Sequence, residues 1–328
     1  GMGVRVPMIV ISPWSKGGYV NSQVFDHSSI IRFLEQRFGT GKAGLEETNI
    51  TPWRRAVAGD LTSAFNFATP NDATVPLPST VAYMPPDNRR HPDYVPVPPA
   101  VQALPAQENG VRPARAVPYE LEVQSVAAAM GEVGLRFVNS GSVAAVFQVR
   151  AGSGGAGPWT YTVGADSEAS DNLAVAGVYD LSVYGPNGFY RRFKGNNGVV
   201  ERPGRIGAGR EVVAPGHEFG RIVRGAKAVL ETAASYDVEQ NGVTLTIRND
   251  GVQSCPVTVR NGYTSKVVQV SLLAGQTWSA HVPLADSFGW YDLVVTSSAD
   301  ASFERQLAGH VETGKDSMTD PAIGGGAG

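Results

Sequence analysis

The chain has 328 residues, with 27 Lys and Arg against 30 Asp and Glu, and a formal net charge of -3. That balance gives no basic footprint for nucleic acid and no strong field towards an anionic membrane. The single cysteine, Cys255, excludes a disulfide framework and a cysteine-built metal centre, and no apolar run reaches the ~18 residues of a membrane-spanning helix.

Gly1 before Met2 reads as the scar of a removed purification tag. Residues 4–12, Val-Arg-Val-Pro-Met-Ile-Val-Ile-Ser, form an apolar run rich in β-branched residues and predict a buried strand. A core strand so near the start reads as a chain that begins inside a domain. Ser12-Pro13-Trp14-Ser15-Lys16-Gly17-Gly18 is a loop by its Pro and Gly content. Next, Ile30, Ile31, Phe33, Leu34 and Phe38 fall on one helical stripe, with Asp26 or Ser28 as cap and Gly39 at the far end. Thr51-Pro52-Trp53 opens a second, short helix, and Asp60 can cap a turn through Leu61 to Phe65. Strand, Gly loop and helices in this order read as a piece of an α/β domain.

Composition changes at about residue 69. Between Thr69 and Pro118 lie 12 of the 22 prolines, with no helical or alternating period, so an extended linker is predicted. From Tyr119 on, short β-rich runs such as 134–139, 143–149 and 179–184 alternate with turn residues, the pattern of an antiparallel sandwich. The region also repeats itself. Asn139-Ser140-Gly141 returns as Asn249-Asp250-Gly251, Tyr179-Asp180-Leu181 as Tyr291-Asp292-Leu293, and Arg191 with Gly195 as Arg305 with Gly309. The offset drifts slowly from 110 to 114 residues, as small loop insertions would produce. The fold expected is mainly β: two tandem antiparallel β-sandwich modules, preceded by a Pro-rich linker and a small α/β remnant. The boundaries expected are 1–68 for the remnant, 69–118 for the linker, 119–200 and 219–315 for the modules, 201–218 between them, and a frayed tail over 316–328.

Chemistry is sparse. No histidine pair among His27, His91, His217, His281 and His310 has helical metal-ligand spacing. His91, His217, His281 and His310 read as structural or surface residues. No Gly-x-Ser-x-Gly elbow and no Asp-x-Asp-x-Asp-Gly calcium loop is present. Asp26-His27, at a helix start just after Gly17-Gly18, supports two readings. The pair caps the helix and bonds locally, or it sits at an anion-binding helix terminus as an acid, base or ligand. Trp159 and Tyr161 in the first module, and Trp278 and Trp290 in the second, are core rings on one reading. On the other they are a platform for lipid or a quaternary ammonium head group.

The residues carry a resemblance. Arg5-Val6-Pro7-Met8-Ile9-Val10-Ile11-Ser12-Pro13-Trp14-Ser15, Phe25-Asp26-His27-Ser28-Ser29 and the run from Asn49 to Phe65 resemble the end of the catalytic domain of bacterial phosphocholine-specific phospholipase C. The run from Tyr179 to Arg191 is similar to the signature of that family's tandem C-terminal modules. The resemblance implies an alkaline phosphatase-like catalytic domain that hydrolyses phosphatidylcholine, and often sphingomyelin, to phosphocholine and diacylglycerol or ceramide. It also implies a Ser or Thr nucleophile, a divalent metal held by carboxylates, and export by the twin-arginine route. The nucleophile and metal carboxylates would lie upstream, so of the family's site only Asp26 and His27 carry over, as an incomplete catalytic pair. No cofactor is expected within these residues. The partners implied are the upstream catalytic domain and a phosphatidylcholine surface. For the modules three roles stand open: scaffold, lipid engagement, or independent binding of choline head groups, membrane or carbohydrate.

Overall fold

The computed structural model describes residues 2–3, 5–39, 45–77, 109–129, 131–152, 155–175, 177–197 and 228–324, and scattered positions between 79 and 102. The connection read at 201–218, with His217, lies outside the described residues, as do residues 325–328.

Helix α1 spans His27–Gly39 and α2 spans Pro52–Val57, followed by a 3-10 turn at Thr62–Ala64. Their starts are built as the sequence dictates. The Asp26 carboxylate accepts from the Ser28 N–H and hydroxyl, at 2.9 and 2.6 Å, while the Asp26 N–H donates back to Ser29 Oγ at 3.0 Å. This reciprocal arrangement satisfies amides that the first helical turn leaves unpaired. Thr51 Oγ1 accepts from the Arg54 N–H at 3.3 Å, with Pro52 at the first helical position. Two expectations fail here. Residues 5–12 form no strand, and Ile9 and Ile11 are 83% and 91% exposed. A lone extended run has no ladder to pair its backbone, and the described residues offer it no sheet. The stripe of α1 is likewise uncovered: Ile30, Ile31, Leu34 and Phe38 are all exposed, and the helix buries Ser28 and Ser29 instead.

The strands are β1 (Pro113–Ala114), β2 (Leu121–Val126), β3 (Glu132–Asn139), β4 (Ala145–Ala151), β5 (Trp159–Val163), β6 (Ser167–Ala174), β7 (Val178–Tyr184) and β8 (Tyr190–Asn196). They continue as β9 (Leu230–Asp237), β10 (Gly242–Asn249), β11 (Cys255–Asn261), β12 (Val267–Leu272), β13 (Thr277–Pro283), β14 (Trp290–Ser297), β15 (Asp300–His310) and β16 (Ser317–Met318), before a last short helix α3 (Pro321–Gly324). Period-two alternation sets the faces. In β4, Ala145, Phe147 and Val149 are buried while Gln148 and Arg150 face solvent; in β14, Tyr291, Leu293 and Val295 are buried.

Two cores result. One joins Val117, Leu121, Leu135, Phe137, Phe147 and their neighbours to Phe193, and the other runs from Ala228 to Val311. They are not merely tethered. One sheet of eight strands, ordered β12-β11-β14-β15-β8-β7-β4-β5, crosses both. Three-stranded sheets, β2-β3-β6 and β13-β10-β9, provide the other layers. The two halves meet where β8 pairs antiparallel with β15, setting Arg192 opposite Gln306, Lys194 opposite Glu304 and Tyr190 opposite Ala308. Arg192 and Gln306, 114 residues apart in sequence, thus face each other across this seam.

The ends also differ from the expectation of a linker and a frayed tail. Val117 is buried in the first core, and β1 pairs with β16, so residues 113–118 and 316–324 are built into the structure. Among the described residues no helix is long and apolar enough to cross a membrane.

Candidate functional site

Asp26 is fully engaged. One oxygen holds Ser28, and the other forms an ion pair with Arg54, which fastens the start of α1 to α2. Burial works to raise this carboxyl, but the bonds from Ser28 and Arg54 outweigh it and hold it below the usual carboxylate range. His27, beside it, is exposed on the helix surface. The capping reading therefore describes Asp26, and the two side chains do not form a joint site. A second ion pair braces the same helices. Arg55 grips both oxygens of Glu35 at 2.9 Å, and its hydrogen bonds bring the Glu35 carboxyl down to about 2.

This helical segment docks on the first β half. The Val24 N–H donates to Tyr119 Oη at 3.0 Å, the Ala144 N–H to the Ala56 carbonyl at 3.2 Å, and the Trp53 indole to Thr162 Oγ1 at 2.9 Å. Burial pushes the Tyr119 hydroxyl up to about 12, so it stays a neutral donor-acceptor. Between the two lies a cleft of about 460 Å³, lined by Gln23, Arg32, Arg55, Asp60, Ser63 and Val117 among others. Its arginines are already spent: Arg55 on Glu35, and Arg32 on the carbonyls of Arg55 and Ala58.

The four rings do not converge. Trp159 and Tyr161 lie in β5 at one end of the long sheet and pack on the first core. Tyr161 stacks on Phe137 at 4.4 Å and donates to Asp171 at 2.7 Å. Trp278 lies in β13 against the second core. Trp290 is 9% exposed, with its indole on the Met318 carbonyl at 2.9 Å and its ring 4.7 Å from His310. Each is held as a packing ring, and no two modules share a cage. Among the other histidines, His91 faces Asp87 at the surface, His281 lies 3.6 Å from Asp237, and His310 sits between Glu312 and the Phe288 carbonyl.

Among the described residues no three His, Cys, Asp or Glu side chains converge, and both oxygens of Asp26 are taken. The residues do not fit a divalent ion, and no step is assigned to one.

The most elaborate polar cluster is one that the sequence reading missed, at the junction of the two halves. Arg191 is 1% exposed, and its guanidinium meets Glu122 Oε2 at 2.5 Å, Tyr291 Oη at 3.0 Å and the Ala308 carbonyl at 2.9 Å, over the Phe189 ring. Burial raises the Glu122 carboxyl above the usual range, while Glu122 beside it keeps Arg191 protonated against the same burial. Across the seam, Arg305 reaches Tyr179 Oη at 3.3 Å and the Lys194 carbonyl at 2.7 Å. The recurring Arg and Tyr were visible in the sequence. That each Arg crosses to the other half's Tyr was not.

Residues 113–196 and 230–310 match the family model described as bacterial phospholipase C, C-terminal domain, and residues 1–41 match that of the phosphoesterase family. The chain belongs to the bacterial phospholipase C family. It is 44% identical to a non-hemolytic phospholipase C of Burkholderia pseudomallei, over 98% of this chain and 43% of that one. It is 41% identical to a non-hemolytic phospholipase C of Pseudomonas aeruginosa, over 99% and 44%, and 37% identical to a hemolytic phospholipase C of the same organism, over 98% and 45%. The chain thus spans less than half the length of these curated relatives. Among solved structures, a red sea bream transglutaminase aligns with 60% of this chain and 32% of its own, at 12% identity and a TM-score of 0.18, too weak a likeness to carry an argument. Within the phospholipase C match, the two matched stretches cover β1–β8 and β9–β15, and each contributes one of the two junction arginines.

Proposed function

We propose that this chain is the C-terminal portion of an exported phosphocholine-specific phospholipase C, and that its β halves are the scaffold on which the end of the catalytic domain is mounted. The whole enzyme would hydrolyse phosphatidylcholine, with sphingomyelin as a further substrate, to phosphocholine and diacylglycerol or ceramide. The nucleophile and any divalent metal would be held upstream, so the chain alone is inactive. The two halves would be tandem copies of one module, an idea supported by the matched Asn-x-Gly, Tyr-Asp-Leu and Arg positions.

One observation carries the scaffold reading. Residues 24–56 are fastened to the first β half through Tyr119, Ala144 and Thr162, while Ile30, Ile31, Leu34 and Phe38 of α1 and Val6, Met8, Ile9 and Ile11 before it are exposed. Exposed aliphatic surface on this scale marks an interaction face, and the phosphoesterase match over residues 1–41 covers that same stretch.

The test is phosphocholine release from phosphatidylcholine vesicles by this chain, with and without added divalent metal, alongside vesicle co-sedimentation. The proposal expects neither release nor co-sedimentation. Release would contradict the inactive-alone reading and send the search back to Asp26 and His27. Co-sedimentation without release that is lost on replacing Trp159, Tyr161, Trp278 and Trp290 would favour a head-group-binding role over the scaffold.

A further inference from the structure

Residues 311–320 lie just past the matched stretch that ends at His310, and the sequence offers no motif there. In the structure they are densely tied. The Arg112 N–H donates to Thr319 Oγ1 at 3.0 Å and the Thr319 N–H to the Arg112 carbonyl at 2.8 Å, around the antiparallel pair of β1 and β16. Asp316 holds the Arg115 guanidinium at 2.9 Å and the Ala116 N–H at 3.2 Å. Glu312 takes the Val117 N–H at 3.1 Å, the Asn187 amide at 2.7 Å and His310 at 2.7 Å. At the far end Tyr263 donates to Asp320 at 2.8 Å, and the Trp290 indole to Met318. This segment therefore spans both β halves and the strand β1 that enters the first.

The other edge of β1 is occupied as well. Val20 forms a parallel bridge with Ala114: its N–H donates to Pro113 at 2.8 Å, and its carbonyl accepts from the Arg115 N–H at 2.9 Å. Arg115, 8% exposed, lays its guanidinium 3.7 Å over the Tyr19 ring while it donates to Asp316. A planar guanidinium can lie flat on a ring and still present its edge N–H groups to a carboxylate. Three segments distant in sequence thus meet in one small sheet, ordered Val20, β1, β16.

We infer that residues 315–320 are a clasp whose work is to hold Tyr19–Val20, and with them the Gly17-Gly18 turn that precedes Asp26, in a fixed place on the β scaffold. Arg115 is the positioning residue through which the clasp acts. Gly17 and Gly18 both adopt positive φ, at 130° and 73°, conformations that glycine enters without cost and leaves as readily. The flanks of the turn are tied to the residues after α2, Lys16 to the Ala73 carbonyl at 2.6 Å and Asn21 to Ser63 at 2.9 Å, and the bridge at Val20 is its nearest backbone tie to the β scaffold. The inference goes beyond the scaffold proposal and stands whether or not the full enzyme acts on phosphatidylcholine.

Amide hydrogen exchange of this chain tests it, comparing the parent with a chain ending at Gly314 and with Asp316→Ala. The chain ending at Gly314 keeps buried Val311 and Glu312, so both cores retain their contacts. Exchange at the Val20 and Arg115 amides should rise about tenfold or more in either variant, the mark of local opening, while Leu135 in β3 and Leu245 in β10 keep parent rates. Asp316→Glu, which restores an anion to Arg115, should return Val20 most of the way. Unchanged exchange at Val20 would overturn the clasp. So would loss of protection spreading equally to Leu135 and Leu245, because the segment would then be a general element of the fold.

Discussion

The two β halves solve the same problem at their junction and reach different answers. In the first, Glu122 on β2 faces Val138 on β3, which offers no charge, so its carboxylate is free for Arg191. In the second, Glu231 on β9 stands at the equivalent place but faces Arg248 on β10, which takes it at 3.3 Å and also binds Asp250. Arg305 is left with Tyr179 and backbone carbonyls. One substitution pair, Val138 against Arg248, turns a near-symmetric junction into one buried ion pair and one hydrogen-bonded arginine. A buried guanidinium and carboxylate cost desolvation that their attraction only offsets. Such a pair is better understood as fixing which strand lies against which than as a large source of stability. Here it would fix β2 against β9 and β8 against β15.

The largest expected effect follows from removing half of that pair. Arg191→Met or Glu122→Gln strands a charge or a polar partner in the core and should cost about 3–5 kcal/mol, read from urea denaturation of this chain. Arg305→Met removes bonds to neutral partners and should cost only about 1–2 kcal/mol. Equal costs at Arg191 and Arg305 would break the comparison.

A control comes from a device the halves share. Asn139 donates to the carbonyls of Val143, Val163 and Gly164 and accepts from the Gly141 N–H; Asn249 does the same with Gln253, Leu272, Leu273 and Gly251. Both are almost fully buried. Asn139→Ala and Asn249→Ala should each cost about 1–3 kcal/mol, by orphaning the same groups in each half. Unequal losses would mean that the asymmetry runs deeper than the junction.

Smaller effects separate the helical segment from the scaffold. The Glu35 carboxyl lies at about 2, held down by Arg55, against about 4.3 in an unfolded chain. Its contribution is therefore complete above pH 4.3 and lost as pH falls towards 2. The pair is partly solvated, so the loss should not exceed about 1 kcal/mol. It should show as protection factors in α1 and α2 that fall between pH 4 and 2 in the parent, once corrected for the intrinsic exchange rate, with that acid dependence absent in Glu35→Gln. The smallest expected change in stability is for Arg248→Val, within about 0.5 kcal/mol because the side chain is half exposed. It sharpens the comparison most directly. With Arg248 gone, a double-mutant cycle between Glu231 and Arg305 should report a larger coupling than in the parent, where Arg305 already acts on Glu231.

Much of this architecture was legible in the residues. The caps at Asp26 and Thr51 were written locally, because a side chain three residues from an orphaned amide needs no distant information. The strand alternation and the Asn-x-Gly recurrence disclosed two β halves. The failures have separate causes. Residues 5–12 and the α1 stripe are apolar for partners that the described residues do not supply, so periodicity alone placed them in a core. The β8–β15 seam escaped notice because its facing residues, Arg192, Lys194, Glu304 and Gln306, are those of a solvated edge. Residues 315–320 looked like a frayed end because two-residue strands carry no period. Of the candidate site residues, Asp26 had two open readings, cap or catalytic partner of His27, and its bonds to Ser28 and Arg54 are those of a cap; the separation of the four rings depends on which sheet each strand joins, which residue type does not report.

The account rests on the eight strands being one sheet rather than two sheets touching. Native-state amide exchange across increasing urea measures this most directly, by following Leu181 and Phe193 in one half and Leu293 and Leu307 in the other. The account predicts that all four open together, with the same midpoint and the same dependence on urea. Separate midpoints for the two pairs would contradict it, and would return the molecule to two independent modules on a string.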